Sequence, residues 1–453
     1  MAFATARAWP TPSGRWPLIG HTPRLIGRGL MPLLEEGWRT RGDRFAFWVG
    51  RPVKVIVHPD DVEAMLLGRR DKYLKLDTYA AFRLLAGDGL VSSEGELWRR
   101  QRRIIQPSFQ KASVEAMAAT MAGVTERAVE RWLTTHRAGE VFDIYPELMR
   151  LTLEILGRTL FSIDLGPHAD ASARIFTNTL EIVAARGHQL APPPLWVPTP
   201  TNRRLVEALR ELDQIVATLV ADRRAGRTTG DDLLSALVHA VDEEGRLLDA
   251  KLLRDEIVTM VLAGHETTAV ATAWILWLLE REREVGERLR ADYDRVLAGR
   301  SPTLADLDQL GWAKQVIQES MRLYPPVWSG GRDAVEHDEL GGLPIEPGDR
   351  LLNIQWFTHR HPEFWTQPER FDPERFDPER IKDQHKFAYT PFSAGPRMCV
   401  GNHFAMLEAQ QILAVLASRL DIEIAPGTPP EPDYQLTTRP KHGIRVRIRA
   451  RAG

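Results

Sequence analysis

FSAGPRMCVG, residues 392–401, holds the only cysteine in a chain of 453 residues, and the fold turns on how that one sulfur is read. A lone cysteine closes no intrachain disulfide, so Cys399 is a free thiol or a metal ligand, which suits a reducing compartment. A single buried cysteine is ordinarily an inert small hydrophobe. This one is flanked by Gly395 and Gly401, which bend the chain tightly and let backbone N–H groups approach the sulfur with no side chain between. Directly after it, residues 401–420 have helical periodicity. That puts Cys399 at a helix N-terminus, where the dipole and unpaired N–H groups favour a thiolate. Structural zinc would want a second cysteine, and HRH at 359–361 has none beside it. A thiol nucleophile needs a histidine base that sequence cannot place. Axial ligation of haem iron is a remaining use, in which the electron-rich sulfur favours O–O cleavage.

Outward from this stretch, 59 basic and 61 acidic residues nearly cancel, so no global field selects nucleic acid or an anionic membrane. The first thirty residues hold only short apolar runs broken by Pro, Gly and Arg, with neither a signal-peptide core nor a membrane anchor. The longest apolar run elsewhere, AVATAWILWLL (269–279), is well short of the roughly 20 residues a membrane-crossing helix needs. A soluble, cytoplasmic protein is expected.

Apolar residues at three- and four-residue spacing predict helices over 112–136, 147–162, 203–225, 252–294 and 402–420. Strands are predicted at 51–59, in a short hairpin over 340–354 and in the C-terminal GIRVRIRAR. Strand candidates near both ends must pair across the chain, which argues for one domain over 1–453. The Pro-rich APPPLWVPTP (191–200) reads as a loop between helices, with Leu195, Trp196 and Val197 suited to the mouth of an apolar pocket. PERFDPERFDPER (368–380) is a local duplication, too short and too few in copies for a solenoid.

A second stretch carries chemistry. AGHETT (263–268) puts a glycine and a carboxylate inside the apolar pattern from Ile257 to Leu279. The glycine costs about 1 kcal/mol against alanine, and a buried carboxylate costs more unless paired or hydrated, so function is implied. Heterolytic O–O cleavage consumes two protons and needs a positioned hydroxyl and a nearby acid.

These motifs resemble the cytochrome P-450 family of haem-thiolate monooxygenases. FSAGPRMCVG matches the signature Phe-x-x-Gly-x-Arg-x-Cys-x-Gly, which carries Phe392, Gly395, Arg397, Cys399 and Gly401 as cofactor-binding positions with Cys399 on the metal. The likeness runs from WPLIG near residue 16 to RPKHGIRVRI near 448. It implies a mainly α fold with small β-sheets, a triangular helical prism around one haem b. By the same likeness Gly264 leaves room for dioxygen, Thr267 places a hydroxyl on the oxygen side, Glu266 relays protons, and Thr268 packs or bonds to the helix backbone. Trp98 and Arg102 stand at i and i+4, so indole and guanidinium can reach the same haem propionate; Arg332 and Arg397 match other propionate contacts. Glu319 and Arg322 in ESMR resemble a structural ion triad whose third arginine is Arg370, Arg375 or Arg380, with Arg375 the best fit by context.

The resemblance further implies a monomeric enzyme that inserts one oxygen atom from dioxygen into an apolar substrate. Its NAD(P)H-derived electrons would come through a separate ferredoxin or flavodoxin with its reductase, docking on the basic side of the cysteine loop, where some of Arg99, Arg100 and Arg103 would meet an acidic partner. Pocket walls are expected at 79–90, 180–200, 327–331 and 436–438. AGDGL, LYPPV and FSAGPR resemble the fatty-acid and alkane hydroxylase branch, which favours a lipid or terpenoid. Ala263 cannot form the ester by which some relatives tether haem. A peroxide-driven or rearrangement enzyme on the same scaffold, and a non-enzymatic haem sensor, are the alternatives.

Overall fold

The computed structural model describes residues 8–164, 179, 182, 192–241 and 245–451. Helices form where the apolar repeat is closed by a capping side chain. Asp143 accepts from the Tyr145 N–H at 3.0 Å, Thr199 from Asn202 N–H at 3.1 Å, and Asp249 from Lys251 N–H at 3.1 Å, each opening a long helix. In chain order the helices used below are α1 (Thr22–Arg28), α2 (Leu30–Arg41), α3 (Ala80–Ala86), α4 (Gly95–Ile105), α5 (Ala118–Thr135), α6 (Ile144–Leu160), α7 (Pro200–Arg224), α8 (Ala250–Arg281), α9 (Arg283–Leu297), α10 (Gly311–Leu323) and α11 (Asn402–Arg419).

α8 is apolar nearly all round, as a helix must be to run through a protein interior. It crosses the core against α6, α10 and α11, with Trp274 and Ile275 fully buried. A five-stranded sheet forms the other side of the molecule, in the order β1 (Arg44–Val49), β2 (Arg51–Ile56), β8 (Arg350–Asn353), β5 (Gly330–Ala334), β3 (Tyr73–Leu74). β2 and β8 run parallel and the other pairs antiparallel. A second apolar cluster, including Phe45, Phe47, Val53, Val55, Trp328 and Trp356, packs on this sheet. The C-terminal strand β12 (Arg445–Ala450) pairs with β9 (Leu420–Ile424) and with β4 (Phe142–Asp143). β10 (Pro432–Tyr434) and β11 (Thr438–Pro440) make a small hairpin that reaches α8.

Several sequence boundaries move. The single helix expected over 252–294 is two, because Glu282 leaves helical geometry (φ −107°, ψ 72°) and α9 folds back, Gly286 allowing close approach to the Leu279 carbonyl. The helix expected over 112–136 breaks at Ala116–Met117. The segment 340–354 is not one hairpin. β6 (Asp338–Leu340) and β7 (Leu343–Ile345) pair with each other, while β8 joins the large sheet beside β2. Among the described residues no helix is long and apolar enough to cross a membrane.

Candidate active site

The cysteine loop is built on backbone demands. Gly395 has φ +67°, and a Cβ there would lie 2.3 Å from the Leu66 carbonyl oxygen, so only glycine fits. Cys399 N–H donates to the Phe392 carbonyl at 2.9 Å, closing the turn. Gly401 is the N-cap of α11, and its N–H bonds to the sulfur. It needs no unusual backbone (φ −89°), and an added Cβ would meet Sγ only at 3.9 Å. The thiol is set deep in the protein but opens onto a cavity of about 1730 Å³. Burial pushes its pKa up, against the pull of the Gly401 N–H, Arg102 and Lys75.

Across the cavity lies α8, exposing Ala263, Gly264, Glu266 and Thr267. The Thr267 hydroxyl donates back to the Ala263 carbonyl at 2.8 Å, which leaves its lone pairs toward the cavity. Glu266 is buried and accepts from the Thr437 hydroxyl at 2.8 Å. His265 faces away, fully buried, donating from Nδ1 to the Val261 carbonyl at 2.6 Å, and burial drives its pKa down to about 4. A Cβ on Gly264 would sit 2.3 Å from Leu156 Cδ1 of α6, so the missing side chain also serves the packing of α8 on α6, while the backbone lines the cavity. Thr268 is buried with its hydroxyl toward Glu408 of α11.

A cationic cradle flanks the thiol. Arg397 stacks over the Trp98 ring at 4.3 Å, pairs with Glu94, and keeps a buried Nη1 without a partner. Arg332 is buried and bonds the Gly331 carbonyl at 2.7 Å, with no carboxylate partner among the described residues. Lys75, which sequence reasoning missed, donates to the Val91 carbonyl at 3.0 Å; burial and the nearby Arg332 and Arg397 push its pKa well down. Arg332, Arg397 and the Lys75 amine thus gather around one carboxylate, Glu94. Arg102 lines the same cavity as Trp98, and its Nη1 donates to the Met398 carbonyl at 2.9 Å, bracing the cysteine loop.

Below the cavity, Glu319 and Arg322 are both fully buried in a two-pronged pair at 2.7 and 2.8 Å. Arg375 is the arginine that reaches Glu319, with Nε at 3.4 Å from Oε1. Arg370 contributes only its carbonyl to Arg322, and Arg380 pairs with Glu374. Arg322 also bonds the carbonyls of His359 and Pro368, so one guanidinium ties three chain segments.

Of the expected pocket walls, Tyr79, Phe82, Leu90, Val327 and Leu436 line the cavity. Leu195, Trp196 and Val197 do not; Leu195 packs against the core and Trp196 is exposed. Residues 180, 181 and 183–191 of the same expected wall lie outside the described residues. The cavity runs instead toward Leu25 and Ile26 of α1.

A mostly helical fold with one cysteine opening on a large cavity opposite an acid–hydroxyl pair defines a haem-thiolate oxygenase. The family described as Cytochrome P450 matches residues 10–447, and the chain belongs to it. Cyclooctat-9-en-7-ol 5-monooxygenase of Streptomyces melanosporofaciens is 36% identical, covering 93% of this chain and 92% of that protein. Pentalenene oxygenase of Streptomyces avermitilis is 31% identical over 97% of both. The crystal structure of the cytochrome P450DA heme domain superposes with a TM-score of 0.89 at 24% identity, covering 99% of this chain and 98% of that one, which establishes the shared fold.

The protein is thus a cytochrome P450 monooxygenase whose cofactor is haem. The residues present fit that group. Arg332, which has no carboxylate partner among the described residues, and the unpartnered Nη1 of Arg397 suit its two propionates, and Cys399 brings a thiol to the same cavity.

Proposed function

We propose that the Cys399 sulfur would hold the haem iron, and that Lys75, Arg332 and Arg397, with Trp98 against Arg397, would hold the propionates. Bound haem supplies the dioxygen chemistry. Thr267 would offer a hydrogen-bond acceptor on the side of the cavity opposite Cys399, Glu266 would pass protons, and the Glu319–Arg322–Arg375 cluster holds the chain segments that carry the site. The observation that carries this reading is the convergence of a single accessible thiol and Thr267 on one cavity.

The substrate we infer is a terpenoid hydrocarbon or alcohol. Phe82, Met260, Leu262, Val327 and Leu436 make an apolar wall, and the two similar enzymes above carry the names of such substrates. Electrons come from NAD(P)H through a separate ferredoxin or flavodoxin with its reductase. The docking face is the exposed side of α4, with Arg99 and Arg103, beside the exposed Met398. A single domain in the cytoplasm, working as a monomer, completes the reading.

The test is a haem-loaded preparation. Under carbon monoxide the reduced protein gives the red-shifted Soret band of thiolate ligation, and Cys399→Ser abolishes it. A library of terpenoids and fatty acids is then screened for the substrate-induced spin shift. A normal thiolate spectrum in the Cys399→Ser protein refutes the ligand assignment, and shifts confined to fatty acids refute the substrate class. Thr267→Ala should keep haem but divert NAD(P)H electrons into hydrogen peroxide; unchanged product per NAD(P)H refutes its role.

A further inference from the structure

The carboxylate of Glu266 does not stand alone on α8. Its Oε1 accepts from the Thr437 hydroxyl at 2.8 Å, and both residues are buried and line the cavity. Thr437 sits in the turn between β10 and β11, next to Leu436, one of the apolar wall residues. That turn is bolted down on all sides. Thr438 N–H donates to the Pro326 carbonyl at 2.9 Å, its hydroxyl to the Pro325 carbonyl at 2.8 Å, and its own carbonyl accepts from Trp274 Nε1 at 2.6 Å. Trp274 lies two turns along α8 from Glu266 and stacks on Tyr324 at 4.0 Å. Trp328 Nε1 fixes the other arm through the Gln435 carbonyl at 2.8 Å. The hydroxyl of Thr437 is therefore held in one place relative to α8 without help from Glu266. A buried carboxylate takes its orientation from the donor that desolvation obliges it to keep.

We propose that Thr437 is a positioning residue that fixes the Glu266 carboxylate for proton delivery and, through its neighbour Leu436, links that carboxylate to the wall touched by substrate. This rests on the reading of Glu266 as the proton-relaying acid. The Thr437 hydroxyl does not touch the reacting atoms; it acts by keeping Glu266 in one rotamer at the cavity edge.

The variants are Thr437→Val, which keeps shape and loses the hydroxyl, and Thr437→Ser, which keeps the hydroxyl. With haem-loaded full-length protein and a surrogate ferredoxin–reductase pair, hydrogen peroxide released per NAD(P)H and the H2O/D2O effect on NAD(P)H oxidation are read; neither needs an identified substrate. General acid catalysis is worth about 10²–10⁴-fold, and loss of positioning should forfeit about tenfold of the proton-dependent step. Thr437→Val therefore raises both readouts, and Thr437→Ser returns them to the starting values. Adding Glu266→Gln to Thr437→Val changes nothing beyond Glu266→Gln alone. In apoprotein, the infrared carboxyl band that disappears in Glu266→Gln shifts in Thr437→Val. If Glu266→Gln changes the readouts and Thr437→Val does not, the positioning role is refuted; equal effects of Thr437→Val with and without Glu266 also refute it. If Glu266→Gln itself changes neither readout, the acid assignment fails and this inference with it.

Discussion

Glu408 lies on α11 nine residues after the cysteine, fully buried, and neither carboxyl oxygen makes a hydrogen bond of normal geometry. Gln411, one turn on, is equally buried with both amide atoms unpartnered. Burial raises the Glu408 pKa from 4.5 to about 8, with the Thr268 hydroxyl pulling weakly the other way. In the unfolded chain this acid ionises near 4.5, while the native protein keeps its proton until about pH 8. The native state then binds more protons than the unfolded one across that window, so stability falls as pH rises through it and is level above. One pH unit is worth about 1.4 kcal/mol, so at pH 7 the group costs about 3 kcal/mol. Glu408→Gln keeps the shape and removes the ionisation. The variant should match the original protein near pH 4.5 and exceed it by about 3 kcal/mol at pH 7. Glu256, whose pKa burial also lifts to about 8, retains its share of the slope, so the pH dependence should weaken rather than vanish. Urea unfolding of haem-loaded protein, followed by tryptophan fluorescence at a series of pH values, reads the difference. An unchanged slope, or a less stable Glu408→Gln at pH 7, refutes the argument and means that the native carboxylate is ionised and solvated.

Removing Glu319 leaves the Arg322 guanidinium buried and uncompensated, so Glu319→Ala should lose about 3–5 kcal/mol and fail to retain haem; full haem occupancy after desalting counts against the structural role. Gly264→Ala drives a methyl into Leu156 Cδ1, an overpacking cost of about 1–3 kcal/mol that exceeds the roughly 1 kcal/mol gained in helix propensity. Shortening the partner with Leu156→Val should restore the Gly264→Ala melting temperature, and no such rescue would return Gly264 to a role in oxygen access. Gly395→Ala meets a backbone carbonyl at positive φ and has no flexible neighbour to move, so it should express poorly or bind haem weakly, as measured by the ratio of Soret to protein absorbance; normal loading contradicts the strain argument.

The parts of the site that sequence reveals are those held in contiguous motifs. Cys399 and its glycines occupy ten residues, and Gly264, Glu266 and Thr267 occupy four, so spacing alone sets their mutual geometry once a helix or turn is assigned. The cationic cradle is assembled differently. Lys75 precedes a short helical turn, Arg332 lies in β5, and Glu94 stands just before α4, so an isolated charge in each segment looks like ordinary solvated surface. Only the fold shows that Lys75 is buried between two arginines. Strand β1 was missed for a related reason: RFAFWV follows a helix directly, and a hairpin around the single Gly50 gives little turn signal. The polar pairs that cross between elements, such as Glu266 with Thr437, leave no trace in either segment's pattern.

The arginine triad makes the same point at the level of a single side chain. Arg370, Arg375 and Arg380 each follow Pro-Glu, so local chemistry does not separate them, and only the family resemblance of its context favours Arg375. What separates them is the path of the chain. Asp372 donates its backbone N–H to Glu319 at 2.9 Å, which pins the start of the 3₁₀ turn Pro373–Phe376 against α10. Asp372 then caps that turn by accepting from the Glu374 N–H at 3.2 Å. Three residues past the pinned position, Arg375 comes round beside the same carboxylate, while Arg370 precedes the pin and Arg380 falls on the next turn, facing Glu374. The duplicated unit carries the cap aspartate before Arg375 and again before Arg380. The second copy has no buried carboxylate to anchor it, because Glu319 is already taken by the first. It follows that Asp372→Pro, which removes the pinning N–H, should uncouple Arg375 from Glu319 and mimic part of the Glu319→Ala loss of haem, whereas Asp377→Pro should not. Equal haem retention in both proline variants would mean that the turn is placed by something other than this bond.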